Sequence, residues 1–162
     1  MKTLLVSLGL LLATGQSPPL NLSFEDAAGK RITLNERGML YLVDFWAVGC
    51  KPCIEEMPEI DRLARELEPG GRFKLVSVLW GGWRGESLTT FEKRYGVGHG
   101  FYSDPDGWID RLDAKAFPTK LLIRDGVALQ RVRGGGEGAY VRWSRIVAKE
   151  LAPASPPPVE DR

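Results

Sequence analysis

Two eight-residue runs dominate the pattern of apolar and polar positions. "MLYLVDFW" and "FKLVSVLW" are rich in β-branched and aromatic residues with almost no polar interruption, as expected of strands buried on both faces. Between them the period changes to that of a helix. Ile54, Met57, Ile60, Leu63, Ala64 and Leu67 keep one apolar face from the paired cysteines to Glu68, where "PGG" stops it. Pro58 lacks a backbone donor and is expected to kink this helix one turn in.

The flanking segments keep alternating. "LNLSFEDAAGKRITL" predicts a hairpin turning at Ala28 and Gly29, "GESLTTFEKRYG" a helix ending at Gly96, "GFYSD" a short strand, and "PDGWIDRLDA" a turn and helix. "PTKLLIRDGVALQRVRG" predicts a hairpin turning at Asp125 and Gly126. "EGAYVRWSRIVAKEL" predicts a closing helix with Tyr140, Trp143, Val147 and Leu151 inward. Strands alternating with helices imply an α/β sheet with helical crossovers. There is no internal repeat.

The two ends stand outside this pattern. "MKTLLVSLGLLLATG" has one lysine, an apolar run from Leu4 to Ala13, and small residues at Ala13 and Gly15 placed like a cleavage site, so residues 1–15 are expected to be a signal peptide. An uncleaved anchor is the alternative, although the run falls short of the ~20 apolar residues of a comfortable span. The last segment, "APASPPPVEDR", is proline-rich without apolar period, and residues 152–162 are expected to be a flexible tail. What lies between, residues 18–151, has the size of one domain. The formal charge of +1 falls to zero without Lys2 and the remaining charges are interspersed, so electrostatic capture of nucleic acid or acidic lipid has no basis. Partners are expected to be proteins or small thiols.

Both cysteines lie in "GCKPCIEEMP". A structural zinc site needs four ligands, and beyond Cys50 and Cys53 the chain offers one distant histidine, His99, expected to be only a loop residue. A staple across so short a loop removes little unfolded-state entropy, on the order of 2 kcal/mol. A redox pair remains, and placement favours it, because a thiol at a helix N-terminus faces free N–H groups and the positive end of the helix.

These residues carry a resemblance. "YLVDFWAVGCKPC" is similar to the strand and active-site helix of thioredoxin, and "AFPTKLLIRDG" looks like the thioredoxin cis-proline segment with its following hairpin. The early hairpin, "CIEEMP" with Glu56 and Pro58, and "YSDPDGWIDRLDAKAFPT" look more like the exported TlpA/ResA/DsbE branch of the redoxin superfamily. The likeness covers residues 18 to 150. It implies a thioredoxin fold: a central mixed β-sheet flanked by helices, with an N-terminal β-hairpin and an extra strand-helix insertion.

It also implies a thiol-disulfide oxidoreductase, periplasmic or otherwise extracytoplasmic, with no cofactor and no metal, a monomer acting on protein thiols and disulfides. A membrane electron donor and apocytochrome c are further partners in such a branch. Cys50 is then the attacking nucleophile and Cys53 the resolving thiol. Pro118 is the cis-proline against the disulfide, with Phe117 and Thr119 beside it on the partner-binding edge. The protein is expected to act as a reductant. The alternatives are a net disulfide oxidase and a non-catalytic binding module on the same fold.

Four more residues are singled out. Lys51 adds positive charge beside Cys50 and would favour its thiolate, or is a solvated surface lysine. Pro52 sets the helix start. Asp44, six residues before Cys50 in an apolar strand where many TlpA-type chains have asparagine, is a candidate for exchanging a proton with Cys53. Glu56, one helical turn from Cys53, is the second candidate. The larger effect is expected from Asp44, because the helix face around Glu55 and Glu56 is charged. Gly49 stands where the family usually has tryptophan. "LWGGWRG" supplies Trp80, a candidate for the core, and Trp83, which either packs simply or replaces the missing partner surface.

Overall fold

The computed structural model describes residues 18–81 and 88–152. The leader, the proline-rich tail and Trp83 lie outside the described residues. Chain order gives β1 (Ser23–Asp26), β2 (Arg31–Thr33), β3 (Leu40–Ala47), α1 (Lys51–Leu67), β4 (Phe73–Trp80), α2 (Leu88–Tyr95), β5 (Phe101–Ser103), α3 (Trp108–Arg111), β6 (Thr119–Arg124), β7 (Val127–Arg133) and α4 (Ala139–Leu151). A single 3-10 turn, Glu68–Gly70, closes α1. The strands form one mixed sheet in the order β2-β1-β5-β4-β3-β6-β7. The β3–β4 and β4–β5 pairs are parallel and every other pair is antiparallel.

The apolar runs read from the sequence become the two central strands, and their alternation divides the core. Tyr41, Val43 and Phe45 of β3, with Val76 and Val78 of β4 and Leu121 and Ile123 of β6, face a layer built from the N-terminal hairpin and α3, where Phe24 and Ile109 are fully buried. Leu40 and Leu42 face the other way, onto Ile60 and Leu63 of α1 and Trp143 and Val147 of α4. Trp46, at the end of that second face, packs with Cys53, Met57 and Phe91. Asp44 therefore points to the α1 side of the sheet, and so does Lys120, its register partner on β6.

Local chemistry fixes the ends of the elements. Asp26 accepts from the N–H groups of Ala28 and Lys30 at 2.9 Å each, making the tight turn of the first hairpin. Asp104 accepts from the N–H groups of Trp108 and Ile109, at 2.9 and 2.8 Å, and starts α3. Glu59 of α1 accepts from Gly138 and Tyr140 at the start of α4, at 3.2 and 2.8 Å, tying the two helices together. Two expectations change. The helix predicted from "PDGWIDRLDA" is only a single turn, while α1 runs from Lys51 to Leu67 with Pro58 inside it on its exposed side.

Candidate active site

Strand β3 ends at Ala47, and the chain must turn sharply to begin α1. Gly49 does this with φ at +83°, a conformation that L side chains rarely adopt, so a larger residue here would be strained. Cys50 follows as the N-cap of α1; its N–H donates to the Ala47 carbonyl at 3.1 Å, and its own carbonyl accepts from Ile54 at 3.1 Å. Pro52 occupies the first turn, where a missing N–H leaves nothing unpaired. Cys50 and Cys53 form a disulfide, with Cα atoms 5.3 Å apart. The two sulfurs differ in environment. Cys50 is half-buried at the helix end, whereas Cys53 is 2% exposed and packs with Trp46 and Met57.

The Phe117–Pro118 peptide is cis. Pro118 is buried, and its carbonyl accepts from the N–H of Gly134 at 2.8 Å. Phe117 is half-buried and meets Trp80 ring to ring at 5.8 Å. Trp80 is 47% exposed, which corrects its expected core position: it ends β4, beyond the helices that cover the sheet. Thr119 is fully buried and donates its hydroxyl to the Ala116 carbonyl at 2.7 Å, so its side chain is turned inward. Lys51 is 84% exposed and lies 3.5 Å from Glu55, which shares its charge at the surface.

Beside the disulfide the sheet and helix bury charge. Asp44 on β3 and Glu56 on α1 are 4% and 1% exposed. Glu56 was expected on a charged outer face, but the stripe Cys53, Glu56, Met57, Ile60 turns it toward the sheet. Both carboxylates converge on Lys120, itself 2% exposed. Its ammonium donates to Glu56 Oε1 and lies 3.0 Å from Asp44 Oδ1, an ion pair without hydrogen-bond alignment. The other Glu56 oxygen accepts from the Gly136 N–H at 3.4 Å. A Cβ built on Gly135 would fall 2.6 Å from Pro118 Cγ and closer still to the Glu56 carboxylate, so only glycine lets this loop cover the site. Burial, helped by the Asp44 charge, pushes the Glu56 carboxyl above the usual carboxylate range, against the pull of Lys120 and the Gly136 N–H.

Lys120 is the residue that sequence reading missed. Its signal is a lysine inside the apolar run "PTKLLI", on the same alternation as Leu122. His99 is a second miss. Its ring is 6% exposed, not free in a loop, and Nδ1 lies 2.8 Å from Asp61 Oδ1 on α1. Among the described residues no group of three or more His, Cys, Asp and Glu side chains forms a metal site.

No model of a protein family matches the chain. Among curated proteins it is similar to the thiol-disulfide oxidoreductase ResA of Halalkalibacterium halodurans, 30% identical over 129 residues that span 77% of this chain and 71% of that protein. ResA of Bacillus subtilis is 30% identical over 126 residues, 76% of this chain and 69% of its own length. Among solved structures, StoA from Bacillus subtilis superposes with a TM-score of 0.60 at 20% identity, covering 74% of this chain and 92% of StoA. A secreted disulfide oxidoreductase of Mycobacterium tuberculosis homologous to E. coli DsbE gives 0.62 at 18% identity, covering 80% and 96%. At those identities the two structures carry the fold.

Proposed function

The chain belongs to the ResA/TlpA/DsbE-like family of thioredoxin-fold thiol-disulfide oxidoreductases, and from that premise we propose that it is exported and reduces disulfides of partner proteins through Cys50 and Cys53. The observation that carries this reading is the unequal setting of the two sulfurs: one at an accessible helix start, one buried a turn later.

In the reduced enzyme the free N–H groups and the positive end of α1 stabilise a thiolate at Cys50. That thiolate attacks one sulfur of a partner disulfide. A bond forms between Cys50 and the partner, the partner's S–S bond breaks, and its other sulfur leaves as thiolate and takes a proton from solvent. Cys53 then loses its proton to the buried carboxylate pair of Asp44 and Glu56 and attacks Cys50 Sγ. The mixed disulfide breaks, the partner's second sulfur leaves as thiolate and takes up the proton held by the carboxylate pair, so the partner leaves with two thiols and the enzyme holds the Cys50–Cys53 disulfide. Two electrons have passed from enzyme to partner. Pro118 walls the disulfide, and Phe117 with Trp80 gives the partner an aromatic surface beside it. Lys51 adds little to the thiolate, because Glu55 and water screen it.

Residues 1–15 act as the export signal, 18–151 as the catalytic domain and 152–162 as a tail. Among the described residues no helix is long and apolar enough to cross a membrane. A protein that gives up electrons outside the cytoplasm must be recharged, which assigns it a membrane electron donor; apocytochrome c is a substrate of the required chemistry. The test is rapid acid quenching of cells, fractionation, and mass-tagging of free thiols. A mostly reduced Cys50–Cys53 pair in the extracytoplasmic fraction is the expected result. A mostly oxidised pair there would assign the net oxidase direction instead, and recovery in the cytosol would contradict export.

A further inference from the structure

A lysine with a 2% exposed side chain near the start of an interior strand is costly unless its charge is used. The groups that face Lys120 come from every element packed on it. Asp44 comes from β3 as its register partner, and Glu56 comes from α1 on the stripe that also carries Cys53. Ser77, the β4 register partner of Asp44, brings a buried hydroxyl without a hydrogen-bond partner. The loop after β7 brings the Gly136 N–H to Glu56 Oε2. One ammonium therefore stands between two carboxylates, leaving a surplus of one negative charge when both are ionised.

A proton arriving on the pair removes that surplus, so the site is built to take one up. Without the ammonium, two carboxylates buried together would repel each other and hold a proton more tightly, as like charges in one site do, making them poorer acceptors. We propose that Lys120 is a positioning residue for the resolving step: by holding Asp44 and Glu56 on one ammonium beside Cys53, it keeps the pair ready to accept the Cys53 proton at neutral pH. This deepens the exchange mechanism above and rests on it. It concerns the second half of the reaction only, because Cys50 draws its stabilisation from the helix end.

The experiment follows a mixed disulfide between the full-length protein and a single-disulfide peptide by stopped flow from pH 5 to 9, reading formation and decay separately. In Lys120→Met the pH midpoint of decay is expected to move up by about one unit or more, making decay at neutral pH about tenfold slower. Formation should stay unchanged, and Lys120→Arg should keep a profile near that of the parent. Should Lys120→Met fail to fold, Lys120→Gln removes the charge while keeping a hydrogen-bond donor between the two carboxylates, and the same upward movement is expected. A folded variant of either kind whose decay profile superimposes on the parent's overturns the proposal, even if it melts earlier, because a lysine that only packs would change stability and leave the profile in place. Absence of any mixed disulfide in the parent is a different failure, which overturns the exchange reading itself.

Discussion

Glu56 shows how a single residue can be named from sequence and still be misplaced. Its spacing from Cys53 marks it, but its neighbours Glu55 and Glu59 suggest a solvated face, and the side chain is in fact 1% exposed. The physical reason is helical phase: 53, 56, 57 and 60 form one stripe, and 55 and 59 lie off it. Lys120 was harder to see, because a lone lysine in a strand ordinarily marks its wet face, and only tertiary pairing with two acids makes the dry one tolerable. The Glu56 carboxyl gives a stability prediction with a definite sign. Burial raises it in the folded state, so the native protein keeps this proton to higher pH than the unfolded chain does. Its contribution is favourable below the ordinary glutamate range and is lost as pH rises through the folded value. Glu56→Gln should abolish that loss, and urea midpoints measured from pH 4 upward should fall less steeply than the parent's. Parallel curves would show that Glu56 does not titrate as described.

At the scale of elements the sequence was most legible where periodicity is strong. Strands β3 and β4 and helices α1 and α4 lie where their apolar patterns put them, because each buries a continuous face. It was least legible where one side chain holds a segment. Nothing in "YGVGHGFY" signals that the α2–β5 connection is pinned to α1, yet Asp61 accepts from the Gly98 N–H at 2.9 Å and from His99, and pairs with Arg65. These contacts outweigh burial, which acts in the opposite direction, and hold the Asp61 carboxyl below its ordinary range. The stability it supplies is present above the ordinary aspartate value and lost as pH falls through the folded one. Asp61→Asn should destabilise the protein by roughly 1–3 kcal/mol at pH 7, with the deficit shrinking on acidification. Chemical denaturation at pH 7 and pH 3 checks this, and a constant deficit would contradict it.

Among the described residues three parts of the chain meet: Glu56 of α1, the cis-proline entering β6, and the Gly134–Gly136 loop, whose Gly135 closely approaches both. The family resemblance was legible because its motifs are short and local, whereas the charge cluster beside the disulfide is assembled from β3, α1 and β6 and has no local signature. In the proposed exchange Cys50 is the attacking sulfur and Cys53 the releasing one. Reduced Cys53→Ser, mixed with a protein disulfide and analysed by intact mass and peptide mapping, should accumulate a one-to-one adduct linked through Cys50 and released by added thiol, while the parent shows that adduct only transiently. No adduct in Cys53→Ser, or a stable one formed through Cys53 in Cys50→Ser instead, would contradict it.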